Sequence, residues 1–218
     1  FIEYIKRIPG VSGVEAGGSL RRRRETVGDI DLVAAGSDPQ SVLDAVAGHP
    51  RVRKMLESSP GRARFYTNWG VVVDLEVAPE EIFGLALFRS TGSRAHYQRL
   101  QRIFTERGLK LDEAIKDGPG AAIQEQDIYA SLGLPWIPPE LREDRGEVEA
   151  ALENRLPHLL ETADIKGDLH LHTNWSDGIN TIEQMVQRAR AKGYQYVAVT
   201  DHSRSLKIAG GLSLERLR

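Results

Sequence analysis

The stretch Gly17–Gly36, GGSLRRRRETVGDIDLVAAG, joins a glycine-led turn, four consecutive arginines and two aspartates alternating with aliphatic residues. In an extended strand successive side chains point to opposite faces. Asp29 and Asp31 therefore share one face, and Ile30 and Leu32 the other. Two carboxylates held side by side repel each other unless a hard cation lies between them. A third of the same character interrupts the apolar strand pattern VVVDLEV at Asp74. Such a trio suits two divalent ions about 3.5–4 Å apart. The turn at Gly18 and Ser19, with its N–H groups and an arginine, suits the triphosphate such ions would bridge. Taken singly, an Asp-x-Asp at a strand end is ordinary turn chemistry and an arginine run is a solvated face. Their combination with a later isolated strand aspartate points to a metal-nucleotide site.

Around this stretch the pattern reads helix, strand, strand, helix, hairpin, an α+β plan. Residues 1–8 read as the end of a helix stopped by Pro9-Gly10. Asp38 caps a helix with Pro39 in its first turn and Gly48 at its end. Asn68-Trp69-Gly70 turns between two strands. Past Pro79 the pattern becomes helical, with Ser93 as a cap, Leu100, Ile103 and Phe104 as an apolar stripe and Gly108 as terminator. Residues 89–110 carry six Lys/Arg against one Glu, a basic excess hidden by the net charge of −2 for all 218 residues. An amphipathic helix interrupted near Pro157 marks a boundary, and from Lys166 the order strand, helix, strand opens an α/β unit.

That second unit holds its own constellation. GDLHLHTNWSDG places His170 and His172 on one face with Asp177 just after, and AVTDHS puts Asp201 and His202 at the end of the adjacent strand. A lone strand histidine is ordinarily a core residue; this grouping reads as a site for zinc, manganese or iron, with Asp201 ranked below the other four. His49, His96 and His158 read as surface residues. The chain has no cysteine, so no disulfide framework or thiolate site exists. No apolar run approaches the roughly 18 residues of a membrane span. Together these suit a soluble cytoplasmic protein. Helical patterns at both ends of the sequence read as those of a fragment.

GGSLRRRRETVGDIDLV resembles the palm motif of family X DNA polymerases, and the resemblance continues through VVVDLEV, STGSRAHYQRLQ and EQDIYASLGLPWIPPELRE, nearly all of residues 1–145. It implies a nucleotidyltransferase palm (1–79), a small α+β nucleotide-closing thumb (80–145) and a linker helix (146–165). By that resemblance Asp29 and Asp31 bind two Mg²⁺ or Mn²⁺ ions, and Asp74 binds the catalytic one and helps activate the primer 3′-hydroxyl. Gly18, Ser19, Arg22 and Gly28 contact the triphosphate, and Thr91, Gly92 and Ser93 cradle the sugar. Arg89-Ser90 stands where the family has Tyr-Phe, and Tyr97 where it has Asn, which implies softened ribonucleotide exclusion.

Residues 166–218 resemble the start of the PHP (polymerase and histidinol phosphatase) domain, an α/β barrel that hydrolyses phosphoesters. That resemblance assigns His170, His172, Asp177 and His202 to Zn²⁺ or Mn²⁺. The implied protein is a monomeric repair polymerase acting on gapped or primer-template DNA with dNTPs and carrying a 3′-5′ exonuclease, with no membrane partner. Two other readings stay open: a nucleotidyltransferase acting on RNA ends or small molecules, and a DNA-binding protein with PHP hydrolysis alone. Primer extension discriminates among them.

Overall fold

Asp29–Gly36 (β2) lies inside a five-stranded sheet whose order is β1-β2-β5-β4-β3. The computed structural model describes residues 1–108 and 124–218. The other strands are β1 (Val11–Ala16), β3 (Val52–Ser59), β4 (Arg62–Thr67) and β5 (Val72–Ala78). β2 and β5 run parallel, and every other pairing is antiparallel. Mixed pairing follows from the connections: a tight turn can join only antiparallel neighbours, whereas reaching the parallel position beside β2 takes a long excursion. Here that excursion runs through α3 (Pro39–Ala47), β3 and β4.

One sheet face packs Leu32, Ala34, Phe65, Val73, Leu75 and Val77 against Ile5 of α1 (Ile2–Ile5) and Val42, Leu43 and Val46 of α3. Burying a side chain such as Phe65, 0% exposed, contributes about 1.5–3 kcal/mol. Asp38 caps α3, accepting from Ser41 N at 3.2 Å and Ser41 Oγ at 2.7 Å. The other face is divided along its length. Its far end, Val33 and Ala78, is covered by Ala86 and Leu87 of α4 (Phe83–Thr91), and its near end carries the aspartates.

β3 escapes the sequence pattern. It is an edge strand with most side chains exposed, so no apolar alternation marks it. The segment Gly18–Arg21, expected as a turn, closes one helical turn, α2.

A second core joins α4 to α5 (Arg94–Glu106), α6 (Glu125–Ser131) and α7 (Glu147–Leu152) through Phe88, Leu100, Phe104, Tyr129, Leu132 and Val148. Among the described residues this subdomain is helical; the expected thumb range 80–145 includes 109–123, which lie outside them. The expected linker helix 146–165 is shorter than its pattern. α7 ends at Leu152, Asn154 adopts the left-handed region at φ 53°, and Pro157 lacks the N–H to continue. α7 also belongs to this core through Val148 and Ala151. His96, expected at the surface, is buried between α6 and α7: Nδ1 lies 2.5 Å from Glu147 Oε1 and Nε2 3.0 Å from Tyr129 Oη. Burial alone would raise the Glu147 pKa, but the bonds from His96 and from the Arg145 and Asp144 amides bring it down to about 2.

Phe1–Leu156 and Pro157–Arg218 are separate compact units. In the second, β6 (Gly167–Leu171) and β7 (Tyr196–Val199) pair in parallel across α8 (Ile182–Ala191), with a short α9 (Leu214–Leu217) after them. Thr181 caps α8 in a reciprocal box with Gln184. Two strands are what the described residues show of the expected α/β barrel. Leu169, Ile179 and Ile208 stay exposed.

Candidate active sites of the two units

In the first unit the parallel register sets Asp31 directly beside Asp74, with Asp29 two residues earlier on the same face. The antiparallel register adds a residue that sequence reasoning missed: Arg64 of β4 stands opposite Asp74. Its Nη2 lies 3.7 Å from Asp29 Oδ2 and its Nε 3.7 Å from Asp74 Oδ1. Its signal was the charged-apolar alternation of RARF, uninformative until the register was known. Asp31, Arg64 and Asp74 line an 810 Å³ cleft together with Glu57, Arg62, Glu76 and Ser90.

Burial, followed by the charges of Asp29 and Asp74, pushes the Asp31 pKa up to about 6 against Arg22 and Arg64. Burial also raises Asp74, opposed by Arg64 and assisted by Asp29 and Glu57. The raised values of Asp31 and Asp74 mark carboxylates that Arg22 and Arg64 leave electrostatically under-compensated. A divalent cation fits such a donor set.

Gly18 is required here. At φ +53°, a β-carbon on it would lie 1.7 Å from Asp31 Oδ2. The backbone turn therefore closes onto the carboxylate, and Gly17 N donates to Asp31 O at 2.8 Å. Ser19 follows in α2, half-buried, whereas Gly28 is exposed with open space around it.

The first half of the arginine run is not a solvated face, whereas Arg23 and Arg24 stay exposed. Arg21 donates to Thr91 Oγ1 at 2.7 Å and to Glu125 Oε2 at 2.6 Å. Arg22 donates to Glu143 Oε1 at 2.7 Å and to Thr91 O at 2.8 Å. Arg23 lies 3.2 Å from Glu140 and Arg24 3.5 Å from Glu143. Arg22 is thus engaged by a carboxylate through Nε and by a backbone carbonyl through Nη1. Arg142, 0% exposed, donates to Glu125 Oε1 at 2.5 Å and to Ile137 O at 2.8 Å. Glu125 is buried, which alone would raise its pKa, but Arg21 and Arg142 hold it below the ordinary range.

Thr91, Gly92 and Ser93 form the α4–α5 junction. Thr91 Oγ1 donates to Leu87 O at 2.6 Å, and Ser93 Oγ caps α5 by accepting from His96 N at 3.1 Å. A β-carbon on Gly92 would meet the His96 ring at 2.9 Å. Ser90 packs against Gly17 and donates to Leu87 O at 3.2 Å.

In the second unit ligand atoms of His172, Asp177 and His202 lie within 4.8 Å of one another. His172 Nδ1 is 3.5 Å from Asp177 Oδ1, and His202 Nε2 is 3.5 Å from Asp177 Oδ2. His170 joins from β6, its Nε2 lying 3.0 Å from His172 Nε2. Buried His172 Nδ1 has no hydrogen-bond partner. An orphaned imidazole nitrogen beside a carboxylate and a second imidazole fits a borderline divalent ion. Asp201 is placed differently from these: its carboxylate faces Thr173 and Ser176. Gly178, unremarked in the sequence, lets the turn pass under His172, since a β-carbon there would lie 2.5 Å from His172 O.

Residues 86–143 match the DNA polymerase beta thumb and residues 168–209 the PHP domain. Along 99% of its length the chain is 37% identical to DNA polymerase/3′-5′ exonuclease PolX of Bacillus subtilis (strain 168), covering 39% of that protein. It is 38% identical over 38% of its length to human DNA-directed DNA/RNA polymerase mu, and 24% identical over 62% to DNA polymerase lambda of Arabidopsis thaliana. Those matches cover 18% and 32% of the two relatives, so the chain spans well under half of each.

Proposed function

We propose that the chain is a PolX-type member of DNA polymerase family X, joining a DNA polymerase beta thumb to a PHP domain, and that it acts in template-directed gap filling. Its palm and thumb add deoxynucleotides to a primer 3′-hydroxyl on gapped or primer-template DNA, and its PHP unit takes part in removing 3′-terminal nucleotides. The observation that carries this reading is the in-register pairing of Asp31 with Asp74, with Asp29 on the same face. The thumb match favours it over a nucleotidyltransferase of RNA ends or small molecules. We assign it to the cytoplasm as a monomer. Separately, no helix among the described residues is long and apolar enough to cross a membrane.

Asp29, Asp31 and Asp74 would hold Mg²⁺ or Mn²⁺. When bound, such ions lower the pKa of the attacking hydroxyl and neutralise triphosphate charge. Arg64, 3.7 Å from both Asp29 and Asp74, balances their charge until substrate arrives. Ser19, the Gly18 turn and Arg22 receive the triphosphate, with Arg22 exchanging Glu143 for phosphate oxygens. Thr91–Ser93 sets the sugar against the α4–α5 junction. Ser90, in place of an aromatic wall, leaves room beside the 2′ position. His170, His172, Asp177 and His202 would hold Zn²⁺ or Mn²⁺ for phosphoester hydrolysis. The exposed Leu169 of β6 supports the barrel assignment, because a parallel sheet is covered on both faces.

Primer extension on single-nucleotide-gapped DNA by the full-length protein tests the proposal: extension dependent on template, dNTP and divalent metal is expected, and template-independent transfer to RNA would overturn it. The Asp31 pKa adds a pH signature. With the carboxyl near half-protonation at about pH 6, cation binding must release its proton below that value. Apparent Mn²⁺ affinity of the palm should therefore fall by about tenfold per unit as the pH drops below 6, and level off above it. Calorimetric titration from about pH 5 to about pH 8 checks this, and a flat profile contradicts it.

A further inference from the structure

Asp201, which sequence reading ranks as a marginal metal ligand, has both carboxylate oxygens engaged elsewhere. Oδ1 accepts from Thr173 N at 2.7 Å and from Ser176 Oγ at 2.5 Å, and Oδ2 accepts from Thr173 Oγ1 at 2.6 Å. These three donors fill most of the roughly four lone-pair positions of a carboxylate. Thr173 is fully buried. Its carbonyl accepts from Ser176 N at 3.1 Å and Gly178 N at 2.9 Å, closing the turn that carries Asp177.

The chain order gives these contacts their meaning. Thr173 follows His172, Asp201 precedes His202, and Asp177 lies in the turn that Thr173 and Ser176 anchor. One carboxylate thus ties together the three segments whose ligand atoms converge within 4.8 Å. The strand ends meet at the same place, with Thr200 N donating to Leu171 O at 2.8 Å.

We propose that Asp201 is a positioning residue of the second site, setting the spacing of His172, Asp177 and His202 through Thr173 and Ser176 without itself binding metal. This rests on the reading of those three residues as metal ligands. Groups that orient ligands from behind typically change metal affinity by about 10–100-fold.

The test is Zn²⁺ affinity of the full-length protein, measured by chelator competition alongside thermal unfolding. Asp201→Ala should weaken binding by about 10–100-fold. Asp201→Asn should stay within about threefold of wild type, because Asn Oδ1 keeps the Thr173 N and Ser176 Oγ bonds while its amide can donate to a rotated Thr173 hydroxyl. Thr173→Val, which keeps the amide contact and loses the hydroxyl one, should fall between them and stands in if Asp201→Ala does not fold. If Asp201→Asn loses metal as fully as His202→Ala, Asp201 is a ligand and the proposal fails. Wild-type affinity in both Asp201→Ala and Thr173→Val also overturns it. Unchanged affinity in His202→Ala and Asp177→Ala would instead overturn the metal reading of the site.

Discussion

Asp74→Asn should reduce nucleotide addition on gapped DNA by about a thousandfold or more while leaving the fold as stable as before. The loss follows from taking one carboxylate out of a trio that must hold cations against the attacking hydroxyl, an effect of several kcal/mol at about 1.4 kcal/mol per factor of ten. The unchanged fold follows from the same electrostatics. Asp29, Asp31 and Asp74 share one sheet face with Arg64 as their cross-strand cation, and burial and mutual repulsion raise both Asp31 and Asp74. Neutralising Asp74 relieves that repulsion, so Tm should hold or rise; sites tuned for charge are commonly strained in this sense. 3′-End hydrolysis by the second unit should persist. Gap-filling rates and thermal melts of the two proteins check the argument, and near-normal extension by the variant would sink the polymerase assignment.

Glu125→Ala should be among the most destabilising single changes in the first unit, costing about 3–5 kcal/mol. The carboxylate bridges Arg21 of α2 and the fully buried Arg142, and its removal strands the Arg142 guanidinium without a counter-charge. Arg142 is already only partly satisfied, since Nη2 has no partner. The aromatic faces of Tyr129 and Trp136, 5.1 and 5.6 Å from its guanidinium carbon, offer weaker compensation. Removing both charges is a different matter. Glu125→Leu combined with Arg142→Met should recover most of the loss, because a buried pair gains little over apolar packing of similar volume. The Glu125 pKa is depressed in the folded protein. Its stabilisation is therefore present above the ordinary carboxylate range and is lost as the pH falls through the lowered folded value. Denaturant melts of the single and double variants measure the coupling; a single-variant loss below about 1 kcal/mol would show the pair to be solvent-screened.

What the residues disclose by themselves is local. Asp29 and Asp31 fall on one face because strand side chains alternate, and Asp74 stands out because a charge inside VVVDLEV has no reason to be there in a plain core strand. Asp38, Ser93 and Gly48 mark helix ends because capping involves atoms three or four residues apart. His170, His172 and His202 group themselves at the ends of strands that a βαβ unit must bring together. Each of these inferences depends on geometry spanning a few residues, or on one chain-crossing rule that rarely varies.

Register and long-range pairing were decided only by the tertiary structure. Nothing within RARF says that Arg64 faces Asp74, since that depends on how β4 slides along β5, and a one-residue slip would reverse the face. The sequence reads the arginine run as phosphate-binding and does not show that Arg21 and Arg22 pair with carboxylates, because those partners, Glu125 and Glu143, lie 104 and 121 residues away. His96 reads as a surface residue until α7 folds back and sets Glu147 against it. β3 lacks alternation because most of its side chains stay exposed on both faces of the sheet edge, so neither face selects apolar residues. Asp201 shows the same limit within a single site. Its place beside His202 is written in the chain, but its bonds to Thr173 and Ser176 form only when β7 lies against β6, because a carboxylate takes its role from the donors that packing brings to it.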